Sequence, residues 1–132
     1  MQVLQPPGWA RPQGYSNGVA MSGRLVFIAG QIGWDAGQQF QSDDFTEQAR
    51  QALRNILTIL AEAGGRPEHI ARMNWYVVDK QEYMDSLKKL GVIYRELMGN
   101  HYPAMTALEV SALIEDAARV EIEATAVIPH PS

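Results

Sequence analysis

The sequence predicts a mixed α/β fold, an α+β sandwich in which two helices cover one face of a mixed sheet in the order ββαβαββ. Two segments carry apolar residues at helical spacing and begin with an Asp/Glu capping signature. The runs around them are rich in β-branched and aromatic residues. The 132 residues, 46% of them hydrophobic and 20% charged, suit one domain, which we assign to residues 1–132.

The N-terminal part predicts an arm followed by strands. Residues 1–17 should be irregular, because Pro6, Pro7 and Pro12 interrupt regular structure. In "VAMSGRLVFIAGQI" two extended runs flank Ser22-Gly23, which predicts a hairpin. The second run, residues 25–32, is almost wholly apolar, which is typical of a central strand.

Two helices are predicted from capping residues and apolar spacing. Asp44 with Glu47 starts the first, which Gly64-Gly65 ends, and Asp79 with Glu82 starts the second, which Gly99 ends. The first stripe is Phe45, Ala49, Ala52, Leu53, Ile56, Leu57 and Leu60. The second stripe is Tyr83, Leu87, Leu90, Tyr94 and Leu97.

Three further strands are predicted, at residues 72–79, 104–111 and 119–128. The last alternates between apolar and polar residues, so that one of its faces is buried and the other is polar. Both faces of the sheet carry apolar residues, at Ile28 or Ala29, Trp75 or Tyr76, and Met105 or Thr106. A sheet with helices on one side only would then pack its second face against another copy of the chain. We therefore expect a homo-oligomer.

Several classes of function lack sequence support. The chain has no cysteine, which excludes disulfides, thiolate nucleophiles and Cys-based zinc sites. His69, His101 and His130 show no metal-binding spacing and are expected on the surface or in loops. Nucleotide-binding glycine motifs are missing, and a net charge of −4 disfavours a nucleic-acid partner. No run approaches the ~20 apolar residues of a membrane span. We expect a cytoplasmic protein without a metal site.

A few residues are candidates for chemistry. Glu121 and Glu123 share one face of a strand, with Glu109 expected on the neighbouring strand. Such a group of carboxylates either performs acid–base work or is a solvated row. Gly30-Gln31 ends a buried strand, where backbone N–H groups either face a ligand or simply end the strand. Three aromatic side chains either wall a pocket or pack in the fold, namely Trp9, Tyr15 and Trp34.

Five segments together resemble the RidA/YjgF family of imine and enamine deaminases. They are "GYSNGV" at 14–19, "VFIAGQIGWD" at 26–35, "AEAGGRPEHIARMNWYVVD" at 61–79, "YPAMTALEVSAL" at 102–113 and "VEIEATAV" at 120–127. The resemblance spans about residues 14 to 128. It implies a chorismate-mutase-like fold and a homotrimer whose sheets form a central barrel, with ligand clefts between subunits. It also implies hydrolysis of a 2-aminoacrylate-type enamine or imine to a 2-keto acid and ammonia, without a cofactor.

This chain matches the family at some site positions and departs from it at others. By resemblance, Glu121 is the catalytic glutamate, and the residues at substrate-binding positions are Tyr15, Gly30, Gln31, Gly91, Met105 and Thr106. The family's carboxylate-clamping arginine should stand two residues after Pro103, where this chain has Met105. Gly91 stands where the family has a pocket asparagine. Arg24, Arg72 and Arg119 are candidates to replace the arginine.

Two functions follow from this pattern. The first is a hydrolytic deaminase acting on an imine or enamine other than 2-aminoacrylate. The alternative is a non-catalytic trimer that holds a small, largely apolar molecule in the same intersubunit cleft. Met105 itself either offers a polarizable surface to such a ligand or packs at an interface.

Overall fold

The computed structural model describes residues 1–131, which form six strands and three α-helices. They are β1 Gln2–Val3, β2 Val19–Ala20, β3 Arg24–Ile32, α1 Phe45–Glu62, β4 Ile70–Val77, α2 Lys80–Asp85, α3 Leu87–Met98, β5 Ala104–Glu109 and β6 Val120–Ile128. The main sheet has the order β3-β6-β4-β5. The β4–β5 pair is parallel and the other two pairs are antiparallel. The predicted mixed α/β fold is confirmed. Within the described chain, no helix has the length and apolar character needed to cross a bilayer.

Helix α1 forms as the sequence predicts. The Asp44 carboxylate accepts the Glu47 backbone N–H at 3.1 Å, and the helix ends just before Gly64. Leu53, Ile56 and Leu60 are fully buried along its inner face. Burying each of these side chains stabilises the fold by about 1.5–3 kcal/mol. The helix packs over β3 and β6, and β6 is the strand that carries Glu121.

The predicted second helix is two helices, α2 and α3. Ser86 has φ −101° and ψ 1°, and its N–H bonds to the Tyr83 carbonyl three residues back, at 3.1 Å. This tight turn ends α2, and α3 begins at Leu87. The prediction of one helix was wrong because the apolar stripe continues through Ser86, where the sequence has no glycine or proline. Helix α3 carries one wall of the cavity described below.

The predicted hairpin at Ser22-Gly23 was wrong. Strand β2 pairs instead with β1, and β3 pairs with β6. The prediction that residues 1–17 are wholly irregular was wrong at Gln2–Val3, which form β1 through this pairing. Gly23 has φ +151° and lies so close to the Ile128 carbonyl that any side chain there would collide with it. This contact lies next to the first residue pair of the β3–β6 ladder, Arg24 with Ile128.

Strand β6 alternates as predicted. Val120, Ile122, Ala124 and Ala126 are buried beneath the helices, while Glu121, Glu123 and Thr125 face the open side of the sheet. The prediction that β3 is a central strand was wrong, since β3 is an edge strand. Its apolar run is explained by Ile28, which faces the core, and by Leu25 and Phe27, which are 59% and 76% exposed on the open face.

Candidate functional site

A cavity of about 500 Å³ opens between α3, the β4–β5 pair and the N-terminal arm. Its lining consists of Gln13, Gly14, Tyr15, Trp75, Tyr83, Leu87, Leu90, Gly91, Tyr94, Arg95, Tyr102 and Met105. Five of these residues come from α3, at the spacing of one helix face. The volume is that of a small-molecule site.

Aromatic side chains form the rigid part of this wall. The Tyr94 hydroxyl donates to the His101 carbonyl at 2.6 Å, and its ring stacks on Tyr102 with centroids 5.5 Å apart. Tyr83 meets Trp75 edge to face at 6.3 Å. Burial raises the pKa of Tyr94 and of Tyr83, so both phenols stay neutral at physiological pH. The Trp75 indole N–H is buried and has no hydrogen-bond partner in residues 1–131.

The N-terminal arm brings Tyr15 to the cavity. The Ser16 N–H bonds to the Pro103 carbonyl at 3.0 Å, and its hydroxyl donates to the Tyr102 carbonyl. These two hydrogen bonds attach the arm to the residues just before β5. Met105 is in register with buried Met73 and packs against the core, on the helix side of the sheet. Thr106 follows on the opposite face and is exposed. The structure therefore places Tyr15, Gly91 and Met105 together and Thr106 apart from them.

A second group of predicted residues lies at the other edge of the sheet. The register of β3 on β6 breaks between Ile28 and Gln31, which leaves Ala29 and Gly30 without cross-strand partners. The Glu121 side chain occupies the space above Gly30, where a Cβ would stand 2.5 Å from Glu121 Oε2. Only glycine admits the carboxylate at this place. Gln31 donates its amide to the Ala29 carbonyl at 3.1 Å.

The three glutamates do not form the predicted cluster. Glu123 accepts hydrogen bonds from the Tyr76 hydroxyl at 2.6 Å and the Asn74 amide at 3.0 Å, and these bonds lower its pKa. Glu109 lies on β5, two strands away from β6, where it accepts the Lys80 N–H at 2.7 Å. The predicted placement of Glu109 beside Glu121 was wrong, because β4 lies between their strands.

None of the three arginines proposed as replacements lines the 500 Å³ cavity. Arg24 donates to the Ala63 carbonyl. Arg119 donates to the Asp43 backbone carbonyl and to the Glu82 carboxylate. Arg72 lies on the open sheet face, in a second cavity of about 420 Å³ shared with Phe27, Asn74 and Glu123. The arginine that does line the first cavity is Arg95, which the sequence reasoning missed. Its spacing of four residues from Gly91 on α3 was the available signal.

The sequence reasoning also missed Gln48, which fixes the start of β6. Its amide donates to the Ser42 and Ala117 carbonyls at 3.1 and 2.9 Å, and its carbonyl accepts the Arg119 N–H at 2.8 Å. This buried side chain thereby sets the position from which Glu121 extends.

The remaining candidates lie away from both groups. Trp9 is 63% exposed, and Trp34 packs on Phe40 with centroids 5.8 Å apart. His69 is nearly buried rather than on the surface, because its Nδ1 accepts the Arg66 N–H at 3.0 Å in a short 3₁₀ turn. Among residues 1–131, no three His, Asp or Glu side chains converge on a possible metal position.

Comparison with known proteins identifies close relatives. The chain matches the model of the family described as endoribonuclease L-PSP over residues 9–128. It is 35% identical over 126 residues to a RutC family protein of Pyrococcus horikoshii, covering 95% of this chain and 96% of that protein. It is 33% identical over 128 residues to the 2-iminobutanoate/2-iminopropanoate deaminase of Homo sapiens, covering 96% of this chain and 88% of that protein. The Rid-family protein YyfB of Yersinia pestis has a similar structure, with a TM-score of 0.80 at 30% identity over 96% of this chain and 98% of that chain.

Proposed function

The chain belongs to the endoribonuclease L-PSP family, the RidA/YjgF group, and on that premise we propose that it is a hydrolytic deaminase acting on a reactive imine or enamine. Water adds to the C=N carbon to give a carbinolamine. That intermediate then expels ammonia and leaves a carbonyl compound. The overall change is imine plus water to carbonyl plus ammonia, and it needs no redox step. The substrate we propose is not 2-aminoacrylate, because Met105 stands where the family's carboxylate-binding arginine is expected.

The observation that carries the proposal is the state of the Glu121 carboxylate. It lies over Gly30 in the β3 bulge and makes no hydrogen bond to another side chain within residues 1–131. Its neighbour Glu123 is held by Tyr76 and Asn74. A carboxylate of this kind can orient water, take its proton during addition and return a proton to the leaving amine. Glu121 is therefore the acid–base group that we assign.

The test is hydrolysis of imines generated in place by an amino-acid oxidase, with disappearance of the imine followed through semicarbazide trapping. Wild type should accelerate hydrolysis for bulky imino acids. Glu121→Gln should lower that rate by roughly 10²–10⁴-fold, the usual contribution of a positioned acid–base group. Glu123→Gln is the matched control, on the same strand and face, and should retain the rate within a few-fold.

Two results would remove the proposal. One is a wild-type rate equal to the uncatalysed rate across small, aliphatic and aromatic imino acids. The other is a Glu121→Gln rate equal to that of wild type, which would place the chemistry elsewhere.

We further propose that the chain forms a homotrimer with the open sheet faces packed inward as a barrel. Leu25, Phe27 and Leu108 are 59%, 76% and 51% exposed on that face. A ring would cover them. It would also bring the Glu121–Gly30 edge of one subunit towards the β5 edge of the next, so that both groups of site residues share one cleft between subunits.

Light scattering of the eluting protein tests the assembly. The measured mass should be close to three times the 14.7 kDa of the chain. Phe27→Glu should reduce it to that of the monomer, because a charge would replace a buried ring at the interface. Ile114→Glu is the control, since Ile114 is 96% exposed in a loop. A monomeric wild type would contradict the proposal.

The second candidate is a non-catalytic trimer that binds a small molecule in the same cleft. Met105 favours it, because this side chain packs on the core and offers the cavity a polarizable apolar surface. Saturable ligand binding without any Glu121-dependent turnover would identify this function. An endoribonuclease is not proposed, because a net charge of −4 is unfavourable for gripping a phosphate backbone.

A further inference from the structure

Arg95 is the one charged side chain in the lining of the 500 Å³ cavity, among residues 1–131. The other lining groups are aromatic, aliphatic or neutral and polar. No carboxylate of the described chain forms a salt bridge with its guanidinium. A cation in an otherwise neutral cavity favours an anionic group on whatever binds there.

The Arg95 guanidinium lies beside Gly91. A Cβ at Gly91 would stand 3.4 Å from Arg95 Nη1, so the guanidinium lies over the bare backbone one helical turn earlier. A larger side chain at position 91 would compete for that space.

The rest of the wall suits a flat apolar group. The Tyr94–Tyr102 stack is held in place by the bond to His101, and Tyr83 is fixed edge-on against Trp75. Aromatic rings pack well against such faces and edges, and methionine sulfur adds favourable contacts to rings. Met105 is on this wall. A three-carbon acid would touch only a small part of it.

We propose that Arg95 binds the carboxylate of a 2-imino or 2-oxo acid whose side chain is aromatic, and that Met105 and the tyrosines hold the ring. Arg95 thereby takes over anion recognition from the β5 position, where this chain has methionine. The proposal rests on the proposed function for the reacting group, but the binding it describes is measured without turnover.

Isothermal titration calorimetry with three probes separates the contributions. Phenylpyruvate carries both the ring and the carboxylate, pyruvate has only the carboxylate, and phenylacetone has only the ring. Each is titrated into wild type, Arg95→Ala and Arg54→Ala. Arg54 and Arg95 are both exposed, but Arg54 lies on α1 and does not line the cavity. Arg95→Gln is the second variant if Arg95→Ala does not fold.

Wild type should bind phenylpyruvate at least tenfold more tightly than either partial probe. Arg95→Ala should weaken phenylpyruvate roughly 10- to 100-fold, the usual effect of losing a charged hydrogen-bond partner. Its affinity for phenylacetone should stay within about twofold, since the ring contacts remain. Arg54→Ala should match wild type with all three probes.

The proposal is overturned if Arg95→Ala binds phenylpyruvate as wild type does, or if it loses phenylacetone to the same extent, which would indicate a merely structural role. No binding of any probe would also overturn it. Failure of the deaminase proposal has a different signature, namely turnover that Glu121→Gln leaves unchanged. Arg95-dependent binding of phenylpyruvate would survive that result.

Discussion

Replacing Gly30 with alanine should separate catalysis from folding. The new Cβ would stand 2.5 Å from Glu121 Oε2, 2.7 Å from Cδ and 2.9 Å from Cγ, all far inside ordinary contact. The backbone at Gly30 has no left-handed φ, so alanine is compatible with it. The collision is with the far end of a flexible side chain. Glu121 therefore has to leave its position while the backbone stays.

The two effects of Gly30→Ala differ widely in size. Moving Glu121 to another rotamer costs about 0.5–1.5 kcal/mol if the new angle is imperfect. Replacing glycine where alanine fits contributes about 0.4–1 kcal/mol in the other direction. The net change in the free energy of unfolding should thus stay within about 1 kcal/mol. Loss of a positioned carboxylate should lower turnover roughly 10²–10⁴-fold.

The assay pairs semicarbazide-trapping kinetics with thermal unfolding of wild type, Gly30→Ala and Gly33→Ala. Gly33 is the control, because a Cβ there would stand 2.5 Å from Gln48 Cβ and 2.7 Å from its Cα, which cannot move aside. Gly33→Ala should lose about 1–3 kcal/mol of stability through overpacking. Gly30→Ala should be folded and nearly inactive. A Gly30→Ala protein with wild-type turnover would refute the assigned position and role of Glu121.

Three other substitutions test separate features. Gln48→Leu should destabilise the fold by about 2–4 kcal/mol in urea unfolding, because it leaves two carbonyls and the Arg119 N–H without their partner; an unchanged midpoint would contradict this. Gly91→Ala should raise stability by about 0.5–1 kcal/mol in the same measurement, since the added Cβ makes ordinary contact with Arg95; a loss would show that the helix needs glycine there. Tyr76→Phe removes the main cause of the lowered Glu123 pKa. The lowered pKa of Glu123 stabilises the folded state at pH values above 4.5, the ordinary pKa of the group. This contribution is lost as the pH falls through the pKa that Glu123 has in the folded protein. The gap in Tm between wild type and Tyr76→Phe should therefore be widest above pH 4.5 and close under acid, and a gap independent of pH would disprove the linkage.

The fold was largely predictable, because capping residues and periodicity act locally. Asp44 and Asp79 cap the helices as their spacing indicates, and β6 buries alternate residues. Pairing was less predictable, since it depends on contacts between distant segments. The close approach of Gly23 to Ile128 and the turn at Ser86 have no signature in the neighbouring sequence.

The site was predictable only in part for the same reason. Resemblance placed Tyr15, Met105 and Glu121 by position in the chain, but which of them share a face depends on strand order. Arg95 was not predicted as a site residue, because an arginine on a helix surface usually only contacts solvent. Arg95 differs from other surface arginines because it lies beside Gly91 and lines the cavity. Both facts depend on which face of α3 is turned to the cavity.

The attachment of the arm to β5 links the cavity to the protection of a sheet edge. Strand β5 is one of the two edge strands of the main sheet, and Ser16 forms a parallel bridge with Ala104 at its start. An uncovered strand edge is a template for pairing with other chains and hence for aggregation. The residue before Ser16 is Tyr15, a wall of the cavity. A molecule bound against Tyr15 would therefore also stabilise the contact that covers the start of this edge.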